Sequence, residues 1–294
     1  MGCMIDAHHH IWRQADLPWL NGPEQPRIFG SYKAIMRDYL VDEFRADISG
    51  TGISKSVYVR ANWPTEKAAD EAAWVQSVAN ETGWPHAIVG YADFTVEDVR
   101  PQLDALAVNP LMRGIRQQLH WHENPLYRFT SHGGLPADPT VRRNVGHLAD
   151  YGWVFELQVF EQQMADAAGL AAANPKVNFV LQHAGMLAEA TPEGRRNWER
   201  GMTRLATEPN VFCKLSAFGT FIHKNDPAFI ADMVASATSI FGAERCLFGS
   251  NFPIEKLWTS YAALWSAFQK AAAPLSATAQ HSIFNNTAAG LYRL

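Results

Sequence analysis

The sequence predicts a single α/β domain over residues 1–294, a (β/α)8 TIM barrel with its active site at the C-terminal mouth of the strands. Three observations predict it. Eight short apolar runs alternate with helical segments along 294 residues, the layout of a parallel barrel wrapped by helices. No G-x-G-x-x-G turn follows the first run, as an open doubly wound sheet would usually show. Polar and titratable residues collect where the apolar runs stop, which is where a barrel carries chemistry.

The first run is "CMIDAHH", from Cys3, leading into His10. Alternate side chains of an extended strand share a face, so His8 and His10 should point one way with Asp6 below them, and His9 the other way. A tag remnant is the bland source of three adjacent histidines, but the chain runs straight on into Ile-Trp. Residues 13–32 then form a connection too long for a simple turn. The second run, "KSVYVRA" from Lys55, ends in Arg60 and Asn62. Thr65 can cap the helix that follows and Gly83 can stop it, while Ala72, Val75 and Ala79 make its apolar stripe. The third, "HAIVGYADF" from His86, ends in Asp93, and Thr95 with Asp98 has capping-box spacing.

The fourth run, "MRGIRQQL" from Met112, leads to Arg116, Gln118, His120 and His122. Arg113 and Arg116 differ by three and face opposite ways, and Arg116 is assigned inward. A second long connection, residues 120–140, ends in Asp138-Pro139, a cap residue before a first-turn proline. The fifth run, "WVFELQVF" from Trp153, carries Glu156 and Gln158. The sixth, "VNFVLQHAG" from Val177, ends at His183. The seventh, "VFCKLSAF" from Val211, carries Lys214 and Ser216, with Asp226-Pro227 as the next cap. The eighth, "RCLFGSNFP" from Arg245, ends at Asn251. Any one of these polar residues could be structural. Burying them together without a ligand would leave many unpaired, so their convergence points to a site. Both long connections follow strand C-termini and read as lids or pocket walls.

Composition narrows the partners. Net charge is −4, from 25 Lys+Arg against 29 Asp+Glu. No basic block marks a nucleic-acid surface. No apolar run is long enough to cross a bilayer, and no basic-then-apolar leader opens the sequence. The Met1-Gly2 start lacks the later Ser or Thr of a myristoylation signal, because Asp6 stands there. Cys3, Cys213 and Cys246 read as reduced and buried, which points to the cytoplasm. The expected partner is a small-molecule substrate, and a homo-oligomer is compatible with the sequence.

"DAHHHIW", "QHAG" around His183, "KLS" from Lys214 and "FGSNFP" from Phe248 resemble the amidohydrolase superfamily. More narrowly they resemble the amidohydrolase-related (amidohydrolase 2) branch of sugar-lactone and 2-pyrone-4,6-dicarboxylate lactonases. The resemblance runs from the first strand to the last. It implies a barrel with a site at the mouth, His8 and His10 as the paired histidines, and His183 as the strand-six histidine. One position departs from the family pattern: Asn251 stands where its members usually carry Asp. An amide has no useful basicity near neutral pH but still hydrogen-bonds. The catalytic set expected is therefore His8, His10, His183 and Asn251, with His183 as base and Asn251 positioning water.

The activity so implied is hydrolysis, with a small anionic or sugar-derived lactone as substrate. A decarboxylase or other lyase on the same fold, and a catalytically silent binding barrel, are the alternatives. Arg60, Arg116, Gln118, His120, Lys214 and Trp12 are the expected substrate-binding residues. Arg60, Arg116 and Lys214 suit an anion unless Asp93 and Glu156 neutralise them, and Trp19, Trp63 and Trp121 would join Trp12 on the walls. For a cofactor, one divalent metal ion, zinc first, would sit on His8, His10 and His183. A metal-free site in which the histidines hold the substrate carbonyl is nearly as well supported.

Overall fold

The computed structural model describes residues 3–294, so the Met1-Gly2 part of the lipidation reading lies outside the described residues. Eight strands follow the eight runs: β1 (Met4–His9), β2 (Ile53–Val59), β3 (Ala87–Gly90), β4 (Met112–Ile115), β5 (Val154–Leu157), β6 (Phe179–Leu181), β7 (Val211–Leu215) and β8 (Cys246–Phe248). They pair in sequence order as one parallel sheet. The ring is drawn together between first and last strands, where His10 N donates to Phe252 O at 2.8 Å and Asn251 N donates to His8 O at 2.8 Å. All strands but β2 are shorter than their apolar runs, because the polar end of each run has already left the ladder to line the mouth.

Side chains alternate between two cores. Ile5, Ala7, Val57, Val89, Val180 and Leu247 fill the barrel interior, closed from below by Leu291 and Tyr292 near the C-terminus. Tyr58, Phe155, Phe179, Cys213 and Phe248 face outward into the layer shared with the helices. Asp6 does not share the face of His8 and His10. The register of β1 shifts between Asp6 and His9, and such an irregularity re-aims side chains. Asp6 turns outward, where it accepts from Tyr261 Oη at 2.9 Å and Ser250 N at 2.8 Å. His9 also faces outward as expected, stacked on Phe44 with ring centroids 3.8 Å apart.

The helix signals divide. Asp138 accepts from Thr140 N and Val141 N at 2.7 and 3.1 Å, and Asp226 from Ala228 N and Phe229 N at 3.1 and 3.2 Å. Gly83 ends the helix Ala68–Thr82 at φ 78°, and the Ala72, Val75, Ala79 stripe is buried. Thr65 opens a short 3-10 turn without a side-chain cap. The Thr95–Asp98 capping box does not form. Asp93 takes Thr95 N at 2.9 Å, Asp98 bonds Arg100, and the helix begins at Arg100. Cys213 and Cys246 are buried, but Cys3 is exposed, because it precedes the first strand rather than lying within it. No helix among the described residues is long and apolar enough to cross a membrane.

Candidate active site

A cavity of about 420 Å³ opens at the C-terminal ends of the strands. His10, Arg60, Arg116, His183 and Asn251 line it, with Gln118, His120 and Gln158. Both long connections fold over it: Trp19 and Phe29 come from the first, just after Trp12, and Tyr127 and Phe129 from the second.

His10 Nδ1 lies 2.7 Å from Val59 O. A carbonyl can only accept, so Nδ1 carries the proton and Nε2 keeps a lone pair. Burial, then the Arg116 charge, push its pKa down to about 3. His183 Nδ1 is 2.8 Å from Ser216 Oγ. Its backbone is left-handed, φ 56°, which swings the ring over the end of β6. Burial and then the Arg116 and Lys214 charges hold it well below the ordinary histidine range. His8 lies one layer deeper, behind the wall. Its ring centroid is 5.0 Å from that of His10 and 4.9 Å from that of His183. Burial first, then Lys214, depress its protonation strongly. All three imidazoles are therefore neutral near pH 7.

Arg116 donates from Nη2 to the Arg60 carbonyl oxygen. Burial, then the Arg60 charge, lower its pKa to about 9. The Arg60 guanidinium lies 4.0 Å over the Tyr91 ring. The Nε atoms of both arginines are buried without a hydrogen-bond partner among the described residues, as are Gln118 Oε1, Gln158 Oε1 and His120 Nδ1. Among the described residues neither arginine forms an ion pair with a carboxylate. Two buried positive charges thus face one cavity without a salt-bridge partner among the described residues, Glu71 acting on both and Glu156 on Arg116 only at a distance.

Several expected residues fall elsewhere. Lys214 is not on the cavity wall. It lies within β7, a layer below the mouth, and its Nζ donates to Glu156 Oε1 and Oε2 at 2.7 and 2.8 Å. Gln182 and Tyr292 complete the same buried network. Glu156 therefore neutralises Lys214, whereas Asp93 does not reach the arginines but accepts from Thr95 and Gln117. Trp121 packs under Arg128 instead of lining the cavity, and His122 is occupied by Asn124 N at 3.0 Å. One residue was missed. Glu255 is buried behind Asn251, and burial raises its carboxyl to about 8. Its spacing of four from Asn251 was readable, but nothing in "NFPIE" says that this carboxyl turns inward.

The donor chemistry suits a metal in part. His8 Nδ1 and Nε2 are both buried and unpartnered, and neutral imidazoles are ordinary zinc donors. His10 also has the carbonyl-bound Nδ1–H that commonly orients a ligating histidine. Among the described residues, however, no three His, Cys, Asp or Glu side chains form a ready ligand set.

Residues 5–294 match the amidohydrolase family. An uncharacterized protein of Sinorhizobium fredii is 35% identical, over 99% of this chain and 98% of its own. An L-fucono-1,5-lactonase of Burkholderia multivorans is 29% identical, over 100% of this chain and 97% of its own. A zinc-bound amidohydrolase structure from Burkholderia multivorans superposes with a TM-score of 0.83 at 27% identity, each chain covered in full. The match of family and fold runs through all eight strands and the mouth they build: this chain belongs to the amidohydrolase family.

Proposed function

We propose that this protein hydrolyses a small lactone that is anionic or sugar-derived. The observation that carries the reading is the pair of unpaired buried guanidiniums, Arg60 and Arg116, facing neutral imidazoles across one cavity. Guanidinium matches carboxylate geometry, and the unpartnered Gln118, Gln158 and His120 atoms suit hydroxyl groups. The aromatic walls can stack on a ring.

Arg60 orients the substrate. Water attack places negative charge on the lactone carbonyl oxygen, which must be held as it develops. The neutral His10 ring cannot donate to it, since its only N–H is bound to Val59 O. Arg116 takes that duty. His183 accepts the proton of the attacking water when its Nδ1–H is donated to Ser216 Oγ, which frees Nε2. Arg116 weakens His183 as a base, but the charge forming on the adjacent oxygen offsets this as the reaction proceeds. Asn251 positions the water by hydrogen bond. Where a divalent ion binds, His8, His10 and His183 would hold it, and it would polarise the carbonyl as a Lewis acid.

The test is proton release from a broad panel of sugar and dicarboxylate-derived lactones. Ring opening with release of one acid equivalent is expected. Carbon dioxide release instead would mean a decarboxylase, and binding without turnover a silent barrel.

A further inference from the structure

The Glu71 carboxyl is buried, 3% exposed, and is not on the cavity wall. It comes from the first turn of the helix Ala68–Thr82. Acidic side chains favour a first helical turn, but this one is turned inward, into the layer that Tyr58 faces. Among the described residues no cation pairs with it there. Its Oε1 accepts from Tyr58 Oη at 2.8 Å and from Ala61 N at 2.5 Å.

Ala61 is where β2 leaves the sheet. Arg60 N still donates to Val89 O of β3 at 2.9 Å, and Asn62 has already turned to the left-handed region at φ 67°. The Ala61 N–H therefore has no strand partner, and an orphaned buried N–H is costly. Glu71 supplies the acceptor, with Tyr58 Oη a longer second one at 3.2 Å. The same peptide unit has another end. The carbonyl bonded to that nitrogen is Arg60 O, and it accepts from Arg116 Nη2. In a trans peptide the N–H and the C=O point in opposite directions. Glu71 thus stands on one side of a single peptide plane and Arg116 on the other. The carboxyl meets the N–H end and the guanidinium meets the C=O end, and hydrogen bonds in such a chain polarise one another. The next carbonyl, Ala61 O, accepts from Trp19 Nε1 at 3.0 Å, so the turn is pinned from the first long connection too. Against the burial that lowers both arginines, the Glu71 charge also favours their protonated forms.

We propose that Glu71 is a positioning residue: through the Arg60–Ala61 peptide it aims the Arg116 guanidinium that holds charge developing on the lactone carbonyl oxygen. The consequence for turnover rests on the lactonase reading. The chain of contacts from Glu71 to Arg116 does not.

Two measurements test it. In the first, kcat and KM are measured for Glu71→Leu, Glu71→Gln, Arg116→Ala and the two double variants. Glu71→Leu should lose about 10²-fold in kcat, the scale of a misplaced reacting group, with KM within about twofold. Glu71→Gln keeps an oxygen for the Ala61 N–H without the charge, and should fall between Glu71→Leu and the wild type. In the Arg116→Ala background neither change should cost more than about twofold, since residues acting as one unit are non-additive. Losses of the same size in both backgrounds would be those of a purely structural residue and would overturn the proposal, as would a change in KM alone. If Glu71→Leu does not fold, Glu71→Gln carries the same cycle. In the second, NMR follows the Arg116 guanidinium N–H resonances, identified by their absence in Arg116→Ala. They should shift in Glu71→Gln and Glu71→Leu, and the Ala61 amide proton should shift in Arg116→Ala, because each end of the peptide feels the other. Either signal unmoved would overturn the chain of contacts, even if no lactone is opened. Failure of the wild type on every lactone, with both signals shifted as expected, would instead sink the activity and leave the chain of contacts standing.

Discussion

Arg116 and His183 carry opposite halves of the proposed reaction, and their substitutions should differ in kind. Arg116 holds developing charge, so Arg116→Ala should lower kcat by about 10²- to 10³-fold, the range for one oxyanion donor. His183 moves a proton, so His183→Ala should cost about 10²- to 10⁴-fold, and more than Asn251→Ala. Steady-state kinetics on whichever lactone the wild type opens will check both, and an Asn251→Ala loss far above that of His183→Ala would remove His183 as base. The sequence made these residues legible because each sits at the very end of an apolar run. It misplaced Lys214 because depth within a barrel is not a property of spacing. A residue inside a strand and one just past it look alike in a string, yet one meets Glu156 in the interior and the other meets the cavity. Glu255 was invisible for a related reason: its carboxyl turns inward only because Gly219, far away in sequence, gives it space.

At the scale of elements, the two long connections decide what the mouth admits. Both were readable as pocket walls from length, Pro, Gly and aromatic content, but not which aromatics point in. Trp19 is knitted into its connection. Its Nε1 donates to Ala61 O at 3.0 Å and its ring packs on Trp12, Phe29 and Tyr32. Phe129 lines the same cavity yet is 48% exposed. Trp19→Ala should therefore destabilise the fold, by on the order of 2 kcal/mol and below the range for a fully buried Trp, and should weaken substrate binding as well. Phe129→Ala should raise KM and leave the melting temperature nearly unchanged. Calorimetry beside kinetics separates them, and equal losses of Tm would show that the second connection is as integral as the first. The β1 irregularity belongs to this scale too. Strict alternation predicted Asp6 beneath His8, but the register shift sends it to Tyr261. A shift of that kind depends on the neighbouring strand and leaves no mark in the alternation itself.

Over the whole molecule, the order of eight strands and eight polar strand ends was legible because a barrel repeats one simple unit. The balance of buried charge was not, and it sets how stability depends on pH. His9 and His120 have pKa values of about 3, lowered by burial first and by nearby positive groups second. His8, His10 and His183 are shifted in the same direction. The unfolded chain has ordinary histidines near 6.5, so between about 3 and 6.5 it binds more protons than the fold. Stability in that window rises with pH. Glu255 acts oppositely. Its folded value of about 8 lies above the 4.5 of an ordinary glutamate, so the fold binds the extra proton and stability falls as pH rises between those values. Below 6.5 the five histidines outweigh this one carboxyl. Above about 7 the unfolded histidines hold too few protons to outweigh it, and Glu255 still titrates up to about 8, with Asp6 raised by burial in the same direction. Melting temperature of chelator-treated protein should therefore climb to a maximum slightly above about pH 7 and decline toward pH 8. Glu255→Gln should keep the acid side and lose the decline. A wild-type curve with no decline from about pH 7 to 8, or the same decline in Glu255→Gln, would mean that Glu255 is not a buried proton holder.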